Sequence, residues 1–330
     1  DYYGNKESFQ VVHDKLTPEQ SKLRISYLIV RTLVQAATWI KAPYLYALYN
    51  RLHGFTRKQI SILHLVSQVS SFVLSPLFGS LSDTLGRKYF CVLYNFTLAL
   101  HIALRLTGIQ PVAYLAEVIT GICMILHDTV FESWFNFETS LLFDKDEEGE
   151  RQKNSFLREV FSKQIGIDCL SSIVLTGVSI FLYTHFNIYV PFYFCIVACI
   201  FTGLYITLNW QENNLEIAHT LDTEETPRAH SLTERMTVSL KIILKDKPLI
   251  AVAIIEGAFK VCIYFFNFIW TPLLEKTAHS IIHPGSIFVC FMIARLIGSE
   301  LFESIKNILK TNTYLISIFI TVSGTLSFWF

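Results

Sequence analysis

The chain has 330 residues, of which 52% are hydrophobic and only 16% charged, against about 25% charged in an average soluble domain. So little polar surface cannot cover a soluble core of this size, which argues against a cytosolic enzyme and for the bilayer as solvent. Lys plus Arg and Asp plus Glu balance at 27 each, so the basic excess of a nucleic-acid-binding protein is absent.

The first 24 residues are polar, with no cleavable signal peptide. Within them, Thr17-Pro18-Glu19-Gln20 offers an N-cap, a proline at the first helical position and a glutamine that can reach back. That pattern predicts a helix leading into the first span. A spanning helix needs about 20 mostly apolar residues. Such stretches occur at 25–49, 60–81, 89–108, 111–132, 164–184, 188–209, 249–270 and 284–303, and a ninth opens at 313–330. Pro43 deprives the carbonyl of Trp39 of its helical partner and predicts a kink in the first span.

Between spans six and seven, residues 211–228 are acidic and polar and read as a mobile linker or a plain solvated loop. Ser231-Leu232-Thr233-Glu234 is a second capping box. It opens a stretch with apolar Met236, Leu240, Ile243 and Leu244 and basic Lys241, Lys245 and Lys247, suited to a helix lying in the membrane interface.

Orientation follows from the basic residues between spans. Most lie in the N-terminal segment, at Arg87 and Lys88 after span two, and after spans four, six and eight; the other side holds only Arg51, Arg57, Lys58 and Lys276. The expectation is a multi-pass protein of the plasma membrane with a cytoplasmic N-terminus. All seven cysteines lie in apolar runs, so they read as small hydrophobes, with neither a disulfide framework nor a zinc site.

The loop Gly79-Ser80-Leu81-Ser82-Asp83-Thr84-Leu85-Gly86-Arg87-Lys88 lies between spans two and three. It resembles the G-x-L-x-D-x-x-G-R-K loop of the major facilitator superfamily. Glycines at 79 and 86 permit close helix approach and a tight turn. Asp83 can accept hydrogen bonds, Arg87 can pair with an acid, and Lys88 adds charge, so the group reads as a conformational latch.

A narrower resemblance runs from about residue 25 to 305. Trp39-Ile40-Lys41-Ala42-Pro43-Tyr44-Leu45-Tyr46-Ala47-Leu48-Tyr49 resembles the W-L-Q-A/G-P-Y-x-Y-x-L-Y segment of the molybdate-anion transporter family. Four further stretches agree in order and spacing: Gly86-Arg87-Lys88 with Cys91-Val92-Leu93, Phe131-Glu132-Ser133-Trp134, Asn209-Trp210-Gln211-Glu212-Asn213, and Phe268-Ile269-Trp270-Thr271-Pro272-Leu273-Leu274. The resemblance implies an all-α membrane protein with the facilitator bundle. About nine of its twelve spans would be present, the chain being expected to be incomplete at both ends. Its parts would be a cytoplasmic N-terminal segment 1–24, a six-helix half 25–209, a central linker 210–248 and the start of the second half 249–330.

Ionisable side chains at membrane depth cost roughly 2.5 to 3.5 kcal/mol on insertion scales and usually mark a pathway or a pair. In span one Arg31, Gln35 and Thr38 share a helical face, with Lys41 a turn further on. With the hydroxyls of Tyr44 and Tyr46 they are the donor types that replace an oxyanion's hydration shell. The competing reading has Arg31 snorkelling to the surface and the tyrosines in an interfacial belt. Lys260 lies mid-span in span seven, one turn after Glu256, and is either self-neutralised or a substrate contact. Arg295 in span eight either pairs across helices or faces the cavity.

Glu117, Asp128 and Glu132 in span four, like Glu256, can relay a proton or neutralise these cations. The chain departs from the family pattern at Thr38, Lys41, Glu117 and Lys260. One reading of those departures is a Lys41–Glu117 ion pair of reversed sign. His64, His101 and His127 fall in spans, but no HExxH, CxxC or Gly-x-Ser-x-Gly pattern occurs.

The sequence therefore points to a transporter of a small oxyanion, molybdate first, with no cofactor, no metal and no catalytic residues, and with the lipid bilayer and the anion as its partners. A facilitator for another small solute, or a receptor or scaffold that transports nothing, is the alternative.

Overall fold

The structure, a computed structural model, describes residues 16–213, 244–277 and 284–309, together with Thr237, Val238 and Lys241. The capping box at Ser231 with most of its interfacial stretch, and the ninth span, lie outside the described residues. Eight long helices follow in chain order: α1 (Pro18–Trp39), α2 (Arg57–Leu85), α3 (Arg87–Leu106), α4 (Gln110–Ser140), α5 (Glu147–His185), α6 (Val190–Asn209), α7 (Lys247–Thr277) and α8 (Pro284–Leu309). No strand occurs among the described residues.

Six of the helices, α2 to α7, are long and apolar enough to cross a membrane. The chain is thus an all-α multi-pass membrane protein. Each of the eight complete predicted spans has its helix. Helices α4 and α5 extend well past the predicted 132 and 164, because polar residues prolong a helix readily once it leaves the bilayer.

Helix starts are set by local chemistry. Thr17 makes the expected box with Gln20, its hydroxyl accepting from the Gln20 N–H at 3.2 Å while the Gln20 carboxamide accepts from the Thr17 N–H at 3.0 Å. Thr56 and Gln59 do the same for α2, and Asp146 accepts from the Gly149 N–H at 2.7 Å to start α5.

The predicted kink at Pro43 is a break. Helix α1 stops at Trp39, and the chain continues through a 3₁₀ turn at Ala42–Tyr44, one α turn at Leu45–Ala47 and a π turn at Leu48–Leu52. Proline has no N–H to give and its ring collides with the carbonyl four residues back. The carbonyls released at the end of α1 find other donors: Cys195 of α6 donates to the Ala37 oxygen at 2.7 Å, and the Ser179 hydroxyl of α5 donates to the Ile40 oxygen.

Helix α1 packs between α5 and α6, α4 packs against both α2 and α3, α3 against α6, and α8 against α5. The main core gathers Tyr27, Phe131, Phe135, Phe192 and Ile40 with their neighbours from α1, α3, α4 and α6. On α2 the exposed side chains Leu65, Val69, Phe72 and Val73 follow a helical stripe, which suits lipid contact.

Gly121 on α4 permits a close approach to α2: a Cβ there would lie 2.6 Å from the Ser70 side chain and 2.8 Å from the Ser67 carbonyl. The close approach predicted at Gly79 is not made, since a Cβ there would meet open space among the described residues.

Candidate functional site

A cavity of about 350 Å³ opens between the broken end of α1 and helices α2, α3, α4, α7 and α8. Its charged and titratable lining comprises Lys41, Arg105, Asp128, His64, His101 and His127, and its aromatic lining Trp39, Tyr94, Tyr264, Trp270 and Phe288.

Lys41 is placed there by the break in α1. Its ammonium approaches the carbonyls of Ala37 and Thr38 at 3.4 Å each, the favourable charge at a helix C-terminus. Both contacts are longer than a normal N–H···O bond, and no carboxylate lies within ion-pair distance of it among the described residues. The side chain is buried, at 8% exposure.

Arg105 is different. It meets Glu117 at 2.8 Å with both side chains almost fully buried. The same carboxylate accepts from the Tyr49 hydroxyl at 2.8 Å, and Arg105 also donates to the Thr120 hydroxyl at 3.0 Å. The reversed-sign Lys41–Glu117 pair is therefore not formed: Glu117 faces Arg105 across the α3–α4 hairpin.

The other predicted substrate contacts fall outside the cavity lining. Arg31 does not snorkel. It is buried, its guanidinium stands 5.7 Å from the Phe131 ring centroid, and once the Gln164 carboxamide is turned to satisfy both of its ends its oxygen accepts from Arg31 Nε at 3.0 Å and Nη2 at 2.9 Å. Gln35 donates to Asp168 at 2.9 Å. The shared face of Arg31 and Gln35 thus packs on α5, and only Thr38 of that face reaches the cavity.

Tyr44 stacks on Tyr183 with centroids 4.4 Å apart, and Tyr46 is buried in a satellite cluster with Phe55 and Tyr49; neither lines the cavity. Lys260 is half-exposed and shared at 3.3 Å by Asp128 of α4 and Glu256 of its own helix. Of these three only Asp128 lines the cavity. Arg295 is exposed, 5.7 Å from the Trp39 ring centroid, and Glu132 is exposed one turn after Asp128.

Asp168 was missed by the sequence reading, and Arg105 and the cavity histidines were seen only as polar residues inside spans, with no site role given to them. His101 contacts the Thr97 carbonyl at 3.2 Å, and the Nδ1 of His127 has no hydrogen-bond partner among the described residues.

The predicted latch forms a second cluster at the opposite end of α2. Asp83 accepts from Arg87 Nε at 3.1 Å and Nη2 at 2.9 Å, and the Arg87 guanidinium lies 5.3 Å from the Phe137 ring centroid. Gly86 turns the chain with φ +119°, and Glu212, arriving from the end of α6, fills the space a side chain would need. Its carboxylate caps α3, accepting from the Lys88 N–H at 2.9 Å and the Tyr89 N–H at 3.0 Å, while the Arg87 N–H donates to the Asn213 carbonyl at 3.0 Å. Lys88 donates to the Thr207 carbonyl at 3.0 Å. Trp134 stacks on Trp210 at 3.6 Å, and Asn213 donates to Glu138 at 2.8 Å. Glu212 appeared in the sequence only as part of a resembling stretch.

A helical membrane bundle with a cation-bearing cavity beside a broken first helix, and a glycine-hinged Asp–Arg loop at its end, is an architecture of the major facilitator type. The profile of a family described as sugar transporters with twelve transmembrane spans matches residues 3–329, and the chain belongs to that family. Its curated relatives include the molybdate-anion transporters of Takifugu rubripes (25% identical, 88% of this chain), Danio rerio (24%, 87%) and Xenopus tropicalis (23%, 81%). The chain spans 63%, 60% and 55% of their respective lengths.

The Arg105–Glu117 pair generates a stability prediction. Replacing Glu117 alone with Leu strands a buried guanidinium and should cost about 3–5 kcal/mol, whereas the double variant Arg105→Leu/Glu117→Leu should recover most of that loss. Thermal unfolding in detergent micelles reads both. A double variant no more stable than Glu117→Leu would contradict the pairing.

Proposed function

We propose that the protein carries a small anion across the bilayer by alternating access, with a molybdate-like oxyanion as the first class to test. One observation carries this reading: Lys41 is a buried cation at the cavity wall with no acidic partner among the described residues. An ammonium so placed leaves its charge for a ligand, and donors that do not bind too tightly allow release. The relatives' identity as molybdate-anion transporters supports the oxyanion, and the description of the family as sugar transporters makes a neutral sugar the second reading. Asp128, on the cavity wall and joined to Lys260 and Glu256, is the acid best placed for coupling to a proton; Glu117, held by Arg105 and Tyr49, is structural. The Asp83–Arg87 pair and the Glu212 cap act as the latch for switching. The N-terminus, the Asp83 loop and residues 211–247 face the cytoplasm of a plasma-membrane protein.

Proteoliposomes of the full-length protein should take up labelled molybdate saturably, with sulfate competing and a neutral sugar excluded. Lys41→Met should weaken anion affinity about ten- to a hundred-fold, the equivalent of one charge-assisted hydrogen bond of about 1.5–3 kcal/mol. Sugar uptake without molybdate uptake would favour the second reading, and no uptake of any solute by a correctly inserted protein would favour a receptor or scaffold. Asp83→Asn should slow transport and leave equilibrium binding nearly unchanged; a large loss of affinity would remove Asp83 from the latch. Single cysteines at Ser82 and Thr223 should resist an impermeant thiol reagent on intact cells. Strong labelling from outside would overturn the orientation.

A further inference from the structure

We infer that the same cavity takes an organic monoanion, a carboxylate carried on an aromatic ring, with the carboxylate at Lys41 and the ring against the wall of Trp39, Trp270 and Phe288. This rests on the small-anion reading above and narrows its substrate class.

Three observations carry it. The cavity volume of about 350 Å³ lies in the range of about 300–1,000 Å³ typical of sites for small organic ligands. A tetrahedral oxyanion of five heavy atoms leaves most of that space unfilled. The wall facing α7 and α8 is aromatic: the Phe288 ring lies 5.6 Å from Trp39 and 6.0 Å from Trp270, centroid to centroid, with Tyr94 and Tyr264 also on the lining. These rings touch one another, so their cavity sides form one continuous aromatic wall against which another ring packs more favourably than bare oxygen atoms do.

The charges agree with the walls. Arg105 is neutralised by Glu117, and Asp128 is paired with a lysine that Glu256 shares. Lys41 is the cavity cation without a carboxylate partner among the described residues, and a ligand carboxylate supplies the missing partner. The Trp39 Nε1–H is buried with no acceptor among the described residues, so the lining residues hold a second unused donor besides the ammonium. A carboxylate, with two oxygens that only accept, matches that pair of donors.

Titration calorimetry on the full-length protein in lipid nanodiscs, with benzoate, acetate and molybdate as probes, tests the inference. Benzoate should bind about ten-fold or more tightly than acetate, from ring contacts and burial. Lys41→Met should weaken both about ten- to a hundred-fold, whereas Phe288→Leu, or Trp270→Phe if the leucine variant folds poorly, should weaken benzoate several-fold and leave acetate unchanged. Molybdate binding with benzoate no tighter than acetate would overturn the inference and leave the anion reading standing. Binding of no anion would overturn both. Tight benzoate binding that survives Lys41→Met would place the ring elsewhere and also sink the inference.

Discussion

A charge at membrane depth must be neutralised, solvated by protein dipoles or given a function, and that constraint arranges the polar groups of this bundle. Arg105 and Glu117 neutralise each other, with Tyr49 and Thr120 taking up further bonds. Arg31 is held by the Gln164 carboxamide and the face of Phe131. Lys260 lies between two carboxylates. Lys41 alone among the cations lining the cavity is left with carbonyl oxygens, those of Ala37 and Thr38 in the last turn of α1, which ends just before Pro43. A backbone break thus produces both the position of the cation and its spare hydrogen-bonding capacity.

The five stretches that carry the family resemblance converge in space on two places. Residues 39–49 and 268–274 meet around the cavity, where Phe288 of α8 bridges Trp39 and Trp270. Residues 86–88, 131–134 and 209–213 meet at the other end of α2, where Glu212 caps α3 and Trp134 lies flat on Trp210. The second cluster joins the α2–α3 loop to the exit of α6, so movement of either must break bonds to the other.

The spans were legible in the sequence because apolar content over about 20 residues is a local property. The box at Thr17, the turn at Gly86 and the interruption at Pro43 were legible for the same reason, although a break was underestimated as a kink. Pairing is not local. Glu117 was assigned to Lys41, yet the hairpin between α3 and α4 brings it to Arg105. Arg31 and Gln35 share a face with Thr38, as helical spacing requires, but the rotation of α1 turns the first two toward Gln164 and Asp168 of α5. Helical periodicity tells which residues share a face and is silent on what that face meets.

The placement of the anion beside Lys41 is tested most directly by a crystal structure of the full-length protein grown with molybdate, the metal being located by its own anomalous scattering. The expected result is a single molybdenum peak in the cavity, with an oxygen at hydrogen-bond distance, about 2.7–3.2 Å, from Lys41 Nζ. A peak beside Arg31 and Asp168, or beside Lys260 outside the cavity, would contradict it.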